Sequence, residues 1–181
     1  KSMIEYLNNY EKVGLLCREF NLEKVEKIKR KYRKPIVFVS VGRSVDINKE
    51  IDVSNLKYNF ICTEGINLKG DNVEYIPKET DNTQDYIMAS DYIITKAGWG
   101  TVSEALIGNK RIALLSREGV SEDRNTINIL LERNLAIKVD SHRLNIKEII
   151  KDLEKFIPSY EEFKIENSYR EIGNRILELL N

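Results

Sequence analysis

Short, nearly continuous apolar runs recur along the chain at 35–41, 57–63, 72–76, 92–95, 110–116 and 135–139. Their β-branched and aromatic content predicts strands, and the unbroken run Pro35-Ile-Val-Phe-Val-Ser-Val41 is that of a strand buried on both faces. Between these runs apolar residues return at helical spacing, with Leu22, Val25 and Ile28 inside 21–32 and Ile127, Leu130 and Leu131 inside 123–133. Helices are also predicted at 83–90, 101–108 and 146–156, and at 160–180 with a break near Asn167, while 48–51 reads as part of a short or irregular helix. At the start, Met3, Ile4 and Leu7 give 1–10 the spacing of a short amphipathic helix, and 13–17 reads as a strand or extended linker.

Strands alternating with helices at this interval build βαβ units. The expected fold is therefore α/β, a Rossmann-like parallel sheet of about six strands with helices on both faces. The organisation that follows is a leading helical and linker segment at 1–34, a Rossmann-like domain at 35–157 and a helical tail at 158–181. In the tail, Tyr169, Ile172, Ile176, Leu177 and Leu180 supply an apolar face able to dock on another surface.

Composition narrows the function classes. The chain carries 29 basic and 29 acidic side chains, a formal net charge of zero, so it lacks the polyelectrolyte surface of a nucleic-acid or membrane binder. Its most basic cluster, 27–34, falls at a predicted helix end, where charges are solvated. No apolar run approaches the roughly 18 residues of a spanning helix, and the start has no signal-peptide pattern. Cys17 and Cys62 sit in apolar surroundings, as buried free thiols of a reducing, cytoplasmic compartment do. His142 is the single histidine and has no neighbour spaced to share a metal, which argues against a zinc site or a histidine-based triad. The chain opens on Lys1, and a fragment of a longer protein is expected.

Candidate chemistry concentrates in 91–104. A buried strand there meets Gly98-Trp-Gly100 and a helix start, with Thr101 or Ser103 near the N-cap and Glu104 in the first helical turn. At the carboxyl edge of a parallel sheet such a turn presents N–H groups and a helix dipole to a phosphate. A carboxylate at Glu104 repels phosphate, so its natural partners are neutral donors such as ribose hydroxyls. The same pattern also fits a tight connection whose glutamate merely suits the dipole.

The stretch Ser90-Asp-Tyr-Ile-Ile-Thr-Lys-Ala-Gly-Trp-Gly-Thr-Val-Ser-Glu-Ala-Leu106 resembles the C-terminal, donor-binding domain of GT-B glycosyltransferases, most closely family 28, which includes the peptidoglycan N-acetylglucosaminyltransferase. The resemblance extends over about 13–140 and implies a hexosyltransferase that binds a UDP-sugar or other nucleotide-sugar without a metal or cofactor. By it, Glu104 is the ribose ligand, and Gly98, Trp99, Gly100, Thr101 and Ser103 line the diphosphate and sugar side of the cleft. The glycine-rich loop after the first strand falls on Gly42, Arg43 and Ser44, with one glycine where the family has two or three. The base-binding segment falls on Ile76-Pro77-Lys78, and Arg18 matches an arginine that approaches the nucleotide, a position equally suited to a linker salt bridge. After Ser116 the chain has Arg117-Glu-Gly-Val-Ser-Glu122 and departs from the family's sugar-holding segment, which leaves the sugar open; Arg117 is a candidate for the diphosphate or a sugar carboxylate and Glu122 for sugar hydroxyls, and both also fit plain surface loop charges.

The same resemblance puts the general base and the acceptor pocket on an N-terminal domain partner, against which the C-terminal helix docks. The catalytic base is left unassigned, and the isolated chain is expected to turn over little. Two alternatives stand beside this reading: a nucleotide-sugar hydrolase or epimerase of GT-B-like fold, and a non-catalytic nucleotide-binding module.

Overall fold

The computed structural model describes residues 10–32, 35–41, 47–117, 120–141 and 144–180. Its elements run α1 (Leu22–Lys31), β1 (Ile36–Ser40), β2 (Ile47–Asp52), β3 (Asn59–Cys62), β4 (Ile66–Lys69), β5 (Val73–Tyr75), α2 (Thr83–Ala89), β6 (Tyr92–Lys96), α3 (Trp99–Ile107), β7 (Arg111–Ser116), α4 (Ser121–Glu132), β8 (Ile137–Asp140), α5 (Ile146–Lys155) and α6 (Tyr169–Leu180). Six strands form one parallel sheet in the order β5-β3-β1-β6-β7-β8. These are the six runs that hydrophobicity marks, and the fold is Rossmann-like α/β.

Alternation along each strand divides the core into two layers. Ile36, Phe38, Ile61, Ile93, Ile112 and Leu114 face the layer that holds Ile87 of α2, Val102 and Leu106 of α3, and Ile127 and Leu130 of α4. Val37, Val39, Phe60, Cys62, Ile94 and Leu115 face the other, which α5 covers with Ile146, Ile149, Ile150 and Leu153. These four recur at i, i+3, i+4 and i+7, the stripe a helix needs to lie on a sheet. At roughly 1.5–3 kcal/mol for each large apolar side chain buried, the two layers supply most of the folding drive.

One expected helix is not formed. Residues 48–51 belong to β2, which pairs in parallel with β4 in a separate two-stranded sheet, with a register shift between Ile47 and Ile51. Ile66 and Leu68 of β4, together with Val53, close the second layer where a doubly wound sheet would carry another helix. The second face is therefore covered by α5 and a β-ribbon. The predicted helix at 1–10 lies outside the described residues except for Tyr10.

The central pair β1 and β6 is fixed at both ends. Asp91 Oδ2 accepts from Ile36 N at 2.7 Å at the amino end, and Thr95 Oγ1 donates to Ser40 O at 2.8 Å at the carboxyl end. Helix ends are equally determined: Asn21 and Asn145 cap α1 and α5 with their side chains. Asn109 (φ 51°) and Asn134 (φ 50°) take the left-handed conformation that stops α3 and α4. The break expected near Asn167 is present, since Tyr160–Glu162 forms one 3-10 turn and α6 begins at Tyr169.

Both cysteines are free and buried, and among the described residues no helix is long and apolar enough to cross a membrane. Lys110, which leads into β7, is half-buried and donates from Nζ to Met88 O at 2.7 Å. Desolvation, with help from Lys29 and against Asp91, lowers its pKa from 10.5 to about 8. Between those pH values the unfolded chain keeps a proton that the folded chain has lost, so this group makes stability rise with pH. The stability difference between wild type and Lys110→Met, from denaturant unfolding, should grow in favour of wild type by on the order of 1 kcal/mol across that window. A difference that stays flat would contradict the assigned burial.

Candidate functional site

The strand order reverses direction between β1 and β6, and open parallel sheets bind ligands at the carboxyl ends of the strands flanking such a point. This edge is held rigid. Ser40, at the end of β1, takes Thr95 on one side, and its Oγ lies 3.0 Å from Thr63 Oγ1 on the other.

Helix α3 leaves this edge two residues after β6. It starts at Trp99, earlier than the expected Thr101, with Gly98 as N-cap and no side-chain cap, so the first-turn N–H groups stay open toward solvent or an anion. The expected role of Thr101 or Ser103 at the N-cap therefore does not hold. Neither Gly98 (φ −72°) nor Gly100 adopts positive φ, contrary to the expectation for this turn. What Gly100 contributes is space: a Cβ there would meet nothing within 4 Å.

The earlier start moves Glu104 into the second turn of α3. Helix-dipole stabilisation fades beyond the first turn, and so does the reading of Glu104 as a dipole charge. Its side chain is only 4% exposed and pairs with Arg18, whose Nε donates to Oε1 at 2.8 Å. A carboxylate that deep needs a partner, and Arg18 supplies it from 86 residues earlier in the chain. Arg18 is anchored in turn, with Nη1 on Asp81 O at 2.5 Å and Nη2 on Thr83 Oγ1 at 2.8 Å. Leu16, Cys17, Arg18, Gly100, Thr101 and Glu104 line one cleft of about 560 Å³.

The segment carrying Arg18 is strapped to the C-terminal region. Asn167 Oδ1 accepts from Cys17 N at 3.1 Å while its Nδ2 donates to Cys17 O at 2.9 Å, and Ser168 N donates to Leu15 O at 2.8 Å. Burial and the nearby Glu104 carboxylate push the Cys17 thiol up to about 11, which makes it an unreactive wall of the cleft. Extended linker is therefore the form 13–17 takes, with a single bridge from Leu15 to Asn167.

The other predicted site residues are distributed as follows. Trp99 is 49% exposed at the start of α3 and borders a neighbouring cavity of about 690 Å³ with Val13, Leu15, Ile129 and Phe163. Ser103 is not brought to the cleft. It lies one residue, about 100° of helix rotation, from Glu104, and is fully buried with its Oγ unpartnered in the structure. Ile76 is buried beyond the outermost strand β5, its N–H donating to Cys62 O at 2.9 Å, two strands away from β1. Arg117 stands at the end of β7 and forms a bidentate pair with the buried Asp123, at 2.5 and 2.7 Å; Glu122 is exposed in the first turn of α4. Gly42, Arg43 and Ser44 lie outside the described residues.

Sequence reasoning missed Leu16 and Cys17 as walls of the cleft, and Asp81 and Thr83 as the anchors of Arg18. The signal available was the polar Asp81-Asn-Thr83 run ahead of α2, a helix entry with groups to spare. Among the described residues no cluster of three or more His, Cys, Asp or Glu side chains could hold a metal ion.

No protein-family model matches the chain, and no curated protein does. Among solved structures it is similar to the spinosyn forosaminyltransferase SpnP, at 16% identity over 70% of this chain and 36% of that one, with a TM-score of 0.54. It is also similar to the glycosyltransferase VinC in complex with dTDP (15% identity, 80% and 41% covered, TM-score 0.53). The calicheamicin glycosyltransferase CalG4 gives 15% identity, 66% and 34% covered, and a TM-score of 0.52. At such identities the likeness is one of fold: a Rossmann-like sheet consistent with a GT-B C-terminal domain. The chain spans only 34–41% of the length of these three proteins.

The open space at Gly100 yields a direct check. Gly100→Ala should leave thermal stability unchanged or raise it, by up to about 1 kcal/mol, because alanine suits a helix better than glycine. Gly100→Leu should fold equally well yet fill the cleft. A marked fall in melting temperature for the alanine variant would mean that the fold, and not a ligand, requires the glycine.

Proposed function

We propose that the chain is the donor-binding half of a metal-independent GT-B glycosyltransferase of family 28 type, which takes a UDP-sugar or related nucleotide-sugar and transfers a hexosyl group. The observation that carries this reading is the Glu104 carboxylate, nearly buried in the second turn of α3, beside an uncapped helix start at the sheet's switch point. Fold likeness to several glycosyltransferases supports it. Glu104 would accept from the hydroxyl side of the nucleotide's ribose, and the Trp99, Gly100 and Thr101 N–H groups would receive the diphosphate. Gly98 would shape that turn, and Arg43 is also assigned to the diphosphate, whereas Arg117, whose charge Asp123 already balances, would add little.

In the reaction an acceptor hydroxyl forms a bond to the anomeric carbon as the bond to the diphosphate breaks. The acceptor's proton goes to a base, which in this reading belongs to an N-terminal acceptor domain. The leaving diphosphate gains negative charge, and fixed N–H groups aimed at it lower the barrier without reorganising. The acceptor domain would dock along α6, where Ile176, Leu177 and Leu180 are exposed.

Isothermal titration of the chain with UDP and UDP-sugars tests this. Binding that falls at least about tenfold in Glu104→Ala, the worth of a hydrogen bond to a charged group, is the expected result. Absence of heat with wild type, or an unchanged affinity in the variant, would refute the reading.

A further inference from the structure

Glu104 does not face the cleft with both carboxylate oxygens free. Oε1 accepts from Arg18 Nε at 2.8 Å, and Oε2 has no partner among the described residues. Arg18 is not at liberty to release its grip either. Each of its three nitrogens is bonded within the protein: one to Glu104, and two to the entry turn of α2 through Asp81 O and Thr83 Oγ1. The residue before it is clamped on both its N–H and C=O by Asn167. The guanidinium thus comes pre-oriented from two directions, against a carboxylate only 4% exposed.

We infer, building on the donor-site reading above, that Arg18 is a positioning and specificity-determining residue: by occupying Oε1 it leaves Glu104 one oxygen for the nucleotide's sugar, so the site engages a single hydroxyl and accepts 2′-deoxyribose nucleotides nearly as well as ribose ones. A carboxylate with both oxygens free takes the vicinal 2′ and 3′ hydroxyls together, one on each, and loses about tenfold in affinity when either is missing. Oε1 keeps a second acceptor site, but on a side chain only 4% exposed the guanidinium stands over its approach, so Oε2 alone meets the sugar and the 3′ hydroxyl, which both sugars have, suffices. The guanidinium has a second effect. Its charge offsets that of Glu104, so a diphosphate at the start of α3 does not meet an uncompensated anion.

The test is titration of the full chain with UDP and 2′-deoxy-UDP, which differ in one hydroxyl only, for wild type, Arg18→Ala and Thr83→Ala. Wild type should bind the two within about threefold. In Arg18→Ala the preference for UDP should open to about tenfold as Oε1 is released, whatever the change in absolute affinity. Thr83→Ala, which removes one anchor of Arg18 and no wall of the cleft, should move the ratio the same way by a smaller factor; it carries the test alone if Arg18→Ala does not fold. A purely structural role would weaken both nucleotides alike and leave the ratio where it was. A tenfold preference for UDP in wild type, or a ratio unmoved in the variants that fold, would overturn this inference alone. Binding of neither nucleotide would overturn the donor-site reading together with it.

Discussion

Strand β1 must be buried on both faces at once, and most of the architecture answers that requirement. Ile36 and Phe38 feed one core layer, Val37 and Val39 the other, and the strand pairs with β3 on one side and β6 on the other. Because the chain winds outward from β1 first in one direction and then in the other, the strand also sets the position of the crevice at its carboxyl end. Asp91 and Thr95 fasten it to β6 at each end, so the crevice inherits the rigidity of the core. A cavity-forming loss such as that of the Phe38 ring would cost about 3–5 kcal/mol, a large part of what a domain of this size has to spare.

What lies above that crevice is electrostatically unusual. A nearly buried carboxylate is stable only when paired, and the pairing group reaches Glu104 from a segment 86 residues earlier in the chain. The same segment is held to the C-terminal region through Asn167 and Ser168, and Arg175 of α6 pairs with Glu11 at 2.8 Å. Residues 11–17 and 167–175 therefore meet, and the strap they form leads into the arginine beside the cleft. A movement of α6 against the sheet would be felt at Glu104 through one guanidinium.

Sequence made the sheet legible because its central strands β1, β6 and β7 are nearly continuous apolar runs, as strands covered on both faces are, and the edge strands keep a β-branched and aromatic content. It misread β2, where Ile47 and Ile51 stand four apart in a charged stretch and satisfy a helix as well as a strand with a bulge. It missed β4, whose Ile-Asn-Leu-Lys alternation spans only four residues. The Trp99 helix start was hidden by glycines that signal a turn but sit at the N-cap and inside the first helical turn. Grouping Ser103 with Glu104 ignored the helical rotation between neighbours, which takes one to the core and the other to the cleft. The partner of Arg18 was beyond the reach of sequence patterns, since spacing carries no information about a contact across 86 residues.

Whether a nucleotide binds over the start of α3 with its sugar at Glu104 is tested most directly by mapping amide chemical shifts as UDP is added. Saturable changes are expected at Trp99, Gly100, Thr101 and Glu104 and at the Arg18 side-chain N–H, with the core strands unmoved. Shifts that leave these signals untouched and gather elsewhere, as along the separate cleft between β2 and α5 lined by Ile51 and Asn145, would contradict binding at this site.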